Sequence, residues 1–121
     1  MEDCRRMLDM DVKMITGSDS SWADYRLGNA AYETELLAEA GMSGPAAVAS
    51  ITGDAARSLG VDESVGTLEP GKHADLVVID GQPDRRISDL WKVADVFLGG
   101  RRVDRGSTDS RAPIRQQPPA A

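Results

Sequence analysis

Apolar positions fall at helical spacing in the first half of the chain and at strand spacing in the last third. Cys4, Met7 and Leu8 are three and four residues apart, so they share one face of a short helix over 4–10. Val12-Lys13-Met14-Ile15-Thr16 then reads as a buried strand that stops at Gly17. A second amphipathic helix is predicted over 29–40, with Tyr32, Leu36, Leu37 and Ala40 inside and Glu33, Glu35 and Glu39 on the solvated face. Gly41 ends it, because glycine accepts the positive φ of a helix C-terminus. Ser43 and Pro45 open the next helix, whose buried stripe is Ala47, Val48, Ile51 and Ala55. Gly53 interrupts that stripe, and Thr52 or Asp54 can recap the turns that run to Leu59 and Gly60.

From Gly66 the period changes. Glu69-Pro70-Gly71-Lys72 has the residues of a type II turn, with proline second and glycine third. Leu76-Val77-Val78-Ile79 is β-branched and apolar throughout, which predicts a strand covered on both faces. Asp80-Gly81-Gln82-Pro83 turns the chain, and 87–91 has the makings of a helical turn. Val96-Phe97-Leu98 and Arg101-Arg102-Val103 flank Gly99-Gly100, a two-residue hairpin signal. The segment 106–121 is built from Ser, Pro, Gln, Arg and Ala. It lacks the apolar surface that would offset the entropy of ordering it, and is expected to be disordered.

Composition narrows the function classes. The chain has 121 residues, enough for one ordinary domain, and is 40% hydrophobic but only 4% aromatic. A net charge of −6 argues against a nucleic-acid binder, which would present a basic face to phosphates. One cysteine, Cys4, cannot close an internal disulfide, so a reducing cytoplasm is expected. The acidic start Met1-Glu2-Asp3 is unlike a signal peptide, and no apolar run nears the roughly 20 residues of a membrane helix.

Asp19 is the candidate for chemistry. It lies just past the C-terminal end of the predicted strand 12–16, the edge where α/β folds place ligands and catalytic groups. An acid among serines is also a common turn former or helix cap. In the loop that follows, Trp22 and Tyr25 could wall a pocket and Arg26 could hold an anion. They could equally pack the loop down and leave Arg26 solvated. The strand also lacks neighbours, since its backbone groups need a sheet that the rest of the sequence does not supply. That is the mark of a fragment.

The order of pieces resembles a known family. Gly17-Ser18-Asp19 closes a strand, then come Glu35-Leu36-Leu37-Ala38-Glu39-Ala40-Gly41-Met42-Ser43 and Ala55-Ala56-Arg57-Ser58-Leu59-Gly60. The set ends with Gly66-Thr67-Leu68-Glu69-Pro70-Gly71-Lys72-His73-Ala74-Asp75-Leu76-Val77-Val78-Ile79-Asp80. From about residue 12 to 103 this is similar to the C-terminal quarter of a metal-dependent amidohydrolase, closest to the imidazolonepropionase-like and prolidase-like members. The resemblance implies an α/β fold made of the last βα unit of a (β/α)8 barrel, within 1–60, and the C-terminal strands of a composite β-sandwich, within 61–105. It implies hydrolysis of carbon–nitrogen bonds other than ordinary peptide bonds, in a small amide, cyclic amide or dipeptide-like substrate. It implies a divalent metal, zinc being the expected one, with Asp19 as both metal ligand and catalytic proton shuttle. A metal-activated water would be the nucleophile. The only histidine, His73, sits beside the Pro-Gly turn, where the resemblance places no ligand. One carboxylate cannot hold a catalytic zinc, which takes three protein ligands, so this chain alone is expected to bind no metal tightly and to be inactive. Homo-oligomerisation is left open. The alternative is a non-catalytic remnant or interaction module that pairs its strands with another polypeptide.

Overall fold

The computed structural model describes residues 1–17 and 30–106. Helix α1 spans Glu2–Asp9, with acids in its first turn and Arg6 in its last, the arrangement the helix dipole favours. The chain then reverses through Asp11, whose φ of 57° is unusual for a residue with a Cβ. Helix α2 spans Ala30–Glu39. It ends in a Schellman motif, in which Met42 N–H donates to the Leu37 carbonyl and Gly41 N–H to the Ala38 carbonyl, both at 3.0 Å. Gly41 adopts the expected positive φ, at 116°.

Helix α3 spans Gly44–Ser50 and α4 spans Gly53–Ser58. Ser43 occupies the N-cap position of α3 without a side-chain cap bond. The Thr52 hydroxyl donates back to the Val48 carbonyl at 2.8 Å, so it does not cap α4 either. Helix α2 packs on α3, and α3 on α4. The buried apolar side chains among the described residues are Leu37, Ala40, Ala47 and Ala56. Three of the four are alanines, so the helices meet almost backbone to backbone. Ala56, not Ala55, is the residue turned fully inward. Glu35, read above as solvated, is buried on α2 beside the fully buried Thr34.

Among the described residues, the part after α4 forms a three-stranded antiparallel meander in the order β1, β2, β3, over Leu76–Ile79, Val93–Leu98 and Arg101–Arg102. Leu76 faces Phe97, and the register slips at Val78/Ile79, leaving Ala94 as the extra residue of a bulge. Gly99 and Gly100 turn the hairpin with φ of 56° and 76°, the paired positive values that a primed two-residue turn requires. Gly71 takes φ 94° in the turn closed by Lys72 N–H on the Glu69 carbonyl. A 3-10 turn, Ile87–Trp91, packs against α2, α3 and β1 and ties the meander to the helices.

Two strand expectations are corrected. Residues 12–17 join no sheet, and Val12 and Ile15 stay 43% and 39% exposed. The described residues offer that segment no neighbouring strand, so its ladder bonds cannot form. Strand β1 does form, yet Val77 is 57% and Val78 43% exposed, so neither face is covered as expected. The disorder expected for the tail from 107 onward lies outside the described residues.

Candidate functional site

Asp19, Trp22, Tyr25 and Arg26 all lie outside the described residues. What is described is the segment that leads to Asp19. Val12 N–H donates to the Met7 carbonyl at 3.0 Å, folding residues 10–12 back on α1. Thr16 N–H then reaches the Ser50 carbonyl at 3.5 Å, at the last residue of α3. Ser50 is itself fully buried, its hydroxyl donating to the Ala47 carbonyl at 2.7 Å. Arg5 donates to the Glu39 carbonyl at 3.3 Å, which places α1 near the C-terminus of α2. The chain therefore arrives at Gly17 beside the α3–α4 junction.

His73 is exposed, and its backbone N–H donates to the Ser64 carbonyl at 2.8 Å. Among the described residues no three His, Cys, Asp or Glu side chains stand close enough to hold a metal ion. Lys72 Nζ donates to Thr67 Oγ1 at 2.6 Å and pairs with Glu69 at 3.2 Å. The Thr67 hydroxyl and then Lys72 hold the Glu69 carboxyl below its usual range. Both groups brace the 69–72 turn.

Asp89 escaped the sequence reasoning. It is buried, accepts the Gln82 N–H at 3.0 Å and pairs with Lys92 at 2.8 Å. Lys92 first, then the Gln82 amide, hold its carboxyl below the ordinary range. A Cβ on Gly81 would lie 2.6 Å from that carboxylate. Nearby, a Cβ on Gly44 would lie 2.0 Å from the Asp84 carbonyl oxygen. Residues 81–89 thus lie directly on the start of α3, with Asp89 holding their shape. The signal available in sequence was a glycine in a turn eight residues before an acid, which is too common to single out.

The overall arrangement is that of a known family. Residues 1–103 match the profile of the amidohydrolase family, and the chain belongs to it. An imidazolonepropionase from Picrophilus torridus is 34% identical over 79 residues, covering 64% of this chain and 20% of the relative. A 5-methylthioadenosine/S-adenosylhomocysteine deaminase from Symbiobacterium thermophilum is 56% identical over 36 residues, 30% of this chain and 8% of the relative. A solved Xaa-Pro dipeptidase with methionine in its active site superposes with a TM-score of 0.76 at 29% identity, over 84% of this chain and 25% of that one. The chain therefore spans about a fifth of the first relative and a quarter of the dipeptidase. Among the described residues no helix is long and apolar enough to cross a membrane.

Proposed function

We propose that this chain is the C-terminal portion of a cytoplasmic amidohydrolase that cleaves a carbon–nitrogen bond in a small amide, cyclic amide or dipeptide-like substrate. In this reading residues 1–60 close a (β/α)8 barrel, 61–105 complete a β-sandwich, and Asp19 is the proton-transferring carboxylate at the barrel rim. The observation that carries the reading is the family match over 1–103, together with the superposition on the dipeptidase across 84% of the chain.

The family's divalent metal does not fit the described residues, which supply no ligand set. Asp19 adds one carboxylate, against the three protein ligands of a typical catalytic zinc. The chemistry assigned to this chain is therefore limited to proton transfer. Asp19 accepts a proton from the attacking water and returns it to the departing nitrogen, which leaves as a neutral amine.

The test is Asp19→Asn in a polypeptide that joins residues 1–121 to the in-frame sequence encoded upstream of Met1. Turnover is expected to fall by about 100- to 10,000-fold with the thermal midpoint unchanged. Unaltered turnover refutes the shuttle. An upstream frame that encodes a His-x-His motif supports the amidohydrolase reading, and a separate upstream gene supports a stand-alone interaction module.

A further inference from the structure

Helix α3 is held by a contact at each end. At its first residue, Gly44 packs so closely on the 81–89 segment that a Cβ would lie 2.0 Å from the Asp84 carbonyl oxygen and 2.7 Å from its carbon. At its last residue, the Ser50 carbonyl accepts the Thr16 N–H. That bond is 3.5 Å long, already stretched, so a small shift of either partner breaks it. Seven residues of helix join the two contacts, about 10 Å at the rise of an α-helix.

The two sides of the Gly44 contact are not equally stiff. Asp89 accepts the Gln82 N–H and pairs with Lys92, and Gly81 is packed on its carboxylate. The Gln82 carbonyl accepts the Arg85 and Arg86 N–H groups at 3.0 and 2.9 Å, and the Asp80 N–H donates to the Lys92 carbonyl at 2.8 Å. Residues 80–92 are thus braced around one buried carboxylate. Helix α3 buries only the small side chains Ala47 and Ser50, which offer no ridges to lock it against sliding. Its last turn is tied by the Ser50 and Thr52 hydroxyls to the Ala47 and Val48 carbonyls, so the helix moves as one piece. A displacement at Gly44 is therefore taken up by α3 and reaches Thr16. We propose that Asp89 positions residues 12–17: it keeps 81–89 rigid against Gly44, and α3 carries that seat to the Thr16 amide. The bearing on catalysis rests on reading Asp19, three residues past Thr16, as the proton-transferring carboxylate.

The test is solvent-exchange NMR of the full chain carrying Gly44→Ala, Asp89→Ala, or both. Gly44→Ala is expected to speed exchange of the Thr16 amide about three- to ten-fold, the worth of one net hydrogen bond. The Ala56 and Val61 amides, bonded within α4 and its C-terminal turn, are expected to keep their rates. Adding Asp89→Ala should slow Thr16 again by at least about two-fold, because the loosened loop then yields in place of α3. A merely structural Asp89 gives the opposite sign, with the double variant faster at every amide. Effects on Thr16 that multiply, or a Thr16 rate that ignores Gly44→Ala, overturn the proposal. If Gly44→Ala does not fold, Asp89→Ala alone decides. A change at Thr16 with Ala56 and Val61 unaltered supports the coupling, and an unaltered Thr16 overturns it. The readout is amide exchange, not turnover, so it can fail while the Asp19 assignment stands, and the reverse.

Discussion

Gly66 and Gly71 make a matched pair for separating backbone strain from packing. Both adopt φ of 94°. A Cβ on Gly71 would meet nothing within 4 Å, whereas one on Gly66 would lie 2.5 Å from the Ala56 Cβ, 3.2 Å from the Thr52 carbonyl oxygen and 3.3 Å from the Gly53 Cα. Alanine at either position suffers the positive φ, roughly 1–2 kcal/mol, partly offset by the stiffer unfolded chain. Gly66→Ala also overpacks the contact between α4 and the chain entering the 69–72 turn, adding about 1–3 kcal/mol. Ala56 is buried and Gly53 is backbone, so neither can swing aside. The difference between the variants is therefore about 1–3 kcal/mol, or roughly 5- to 160-fold in an opening equilibrium. Hydrogen exchange at Ala56 and Val61 reads it, because their N–H groups donate to the Thr52 and Ala56 carbonyls at 2.9 and 3.0 Å. Equal acceleration in the two variants would show that the Gly66 contact is not a constraint.

Asp89 should make the docking of 81–89 pH-dependent. Its folded carboxyl is held below the unfolded value, so its contribution is present above roughly pH 4 and fades as pH falls through the folded pKa. A thermal midpoint that drops on acidification, with a shallower drop in Asp89→Asn, is the expected result. Gly81→Ala should lower the midpoint even at neutral pH, because its Cβ collides with that carboxylate. Arg5→Ala should change stability by less than about 0.5 kcal/mol by urea titration, since its bond to the Glu39 carbonyl is exposed. Zinc titrated into the 121-residue chain should show no tight stoichiometric site by calorimetry, and one that forms would overturn the limit placed on its chemistry.

The local punctuation was legible in the residues themselves. Gly41, Gly71, Gly99 and Gly100 each take the positive φ that their neighbours in sequence called for. Steric limits on φ act within one or two residues, so sequence carries them directly. The helices over 30–39 and 44–50 followed from spacing for the same reason. The family could also be read from the order of segments, and the match over 1–103 bears it out.

Burial was settled elsewhere. Nothing in the spacing of Glu35 or Asp89 marks either as an inside residue, because α2 and the 87–91 turn that carry them bury their faces only by packing on each other and on α3. A run such as Leu76-Val77-Val78-Ile79 states what the strand needs on its faces and edge, but not whether those neighbours are present. The same holds for 12–16, whose pattern asks for a sheet that the described residues do not provide. Backbone shape is a property of a residue and its immediate neighbours. Burial and strand pairing are properties of whatever other segments are brought alongside.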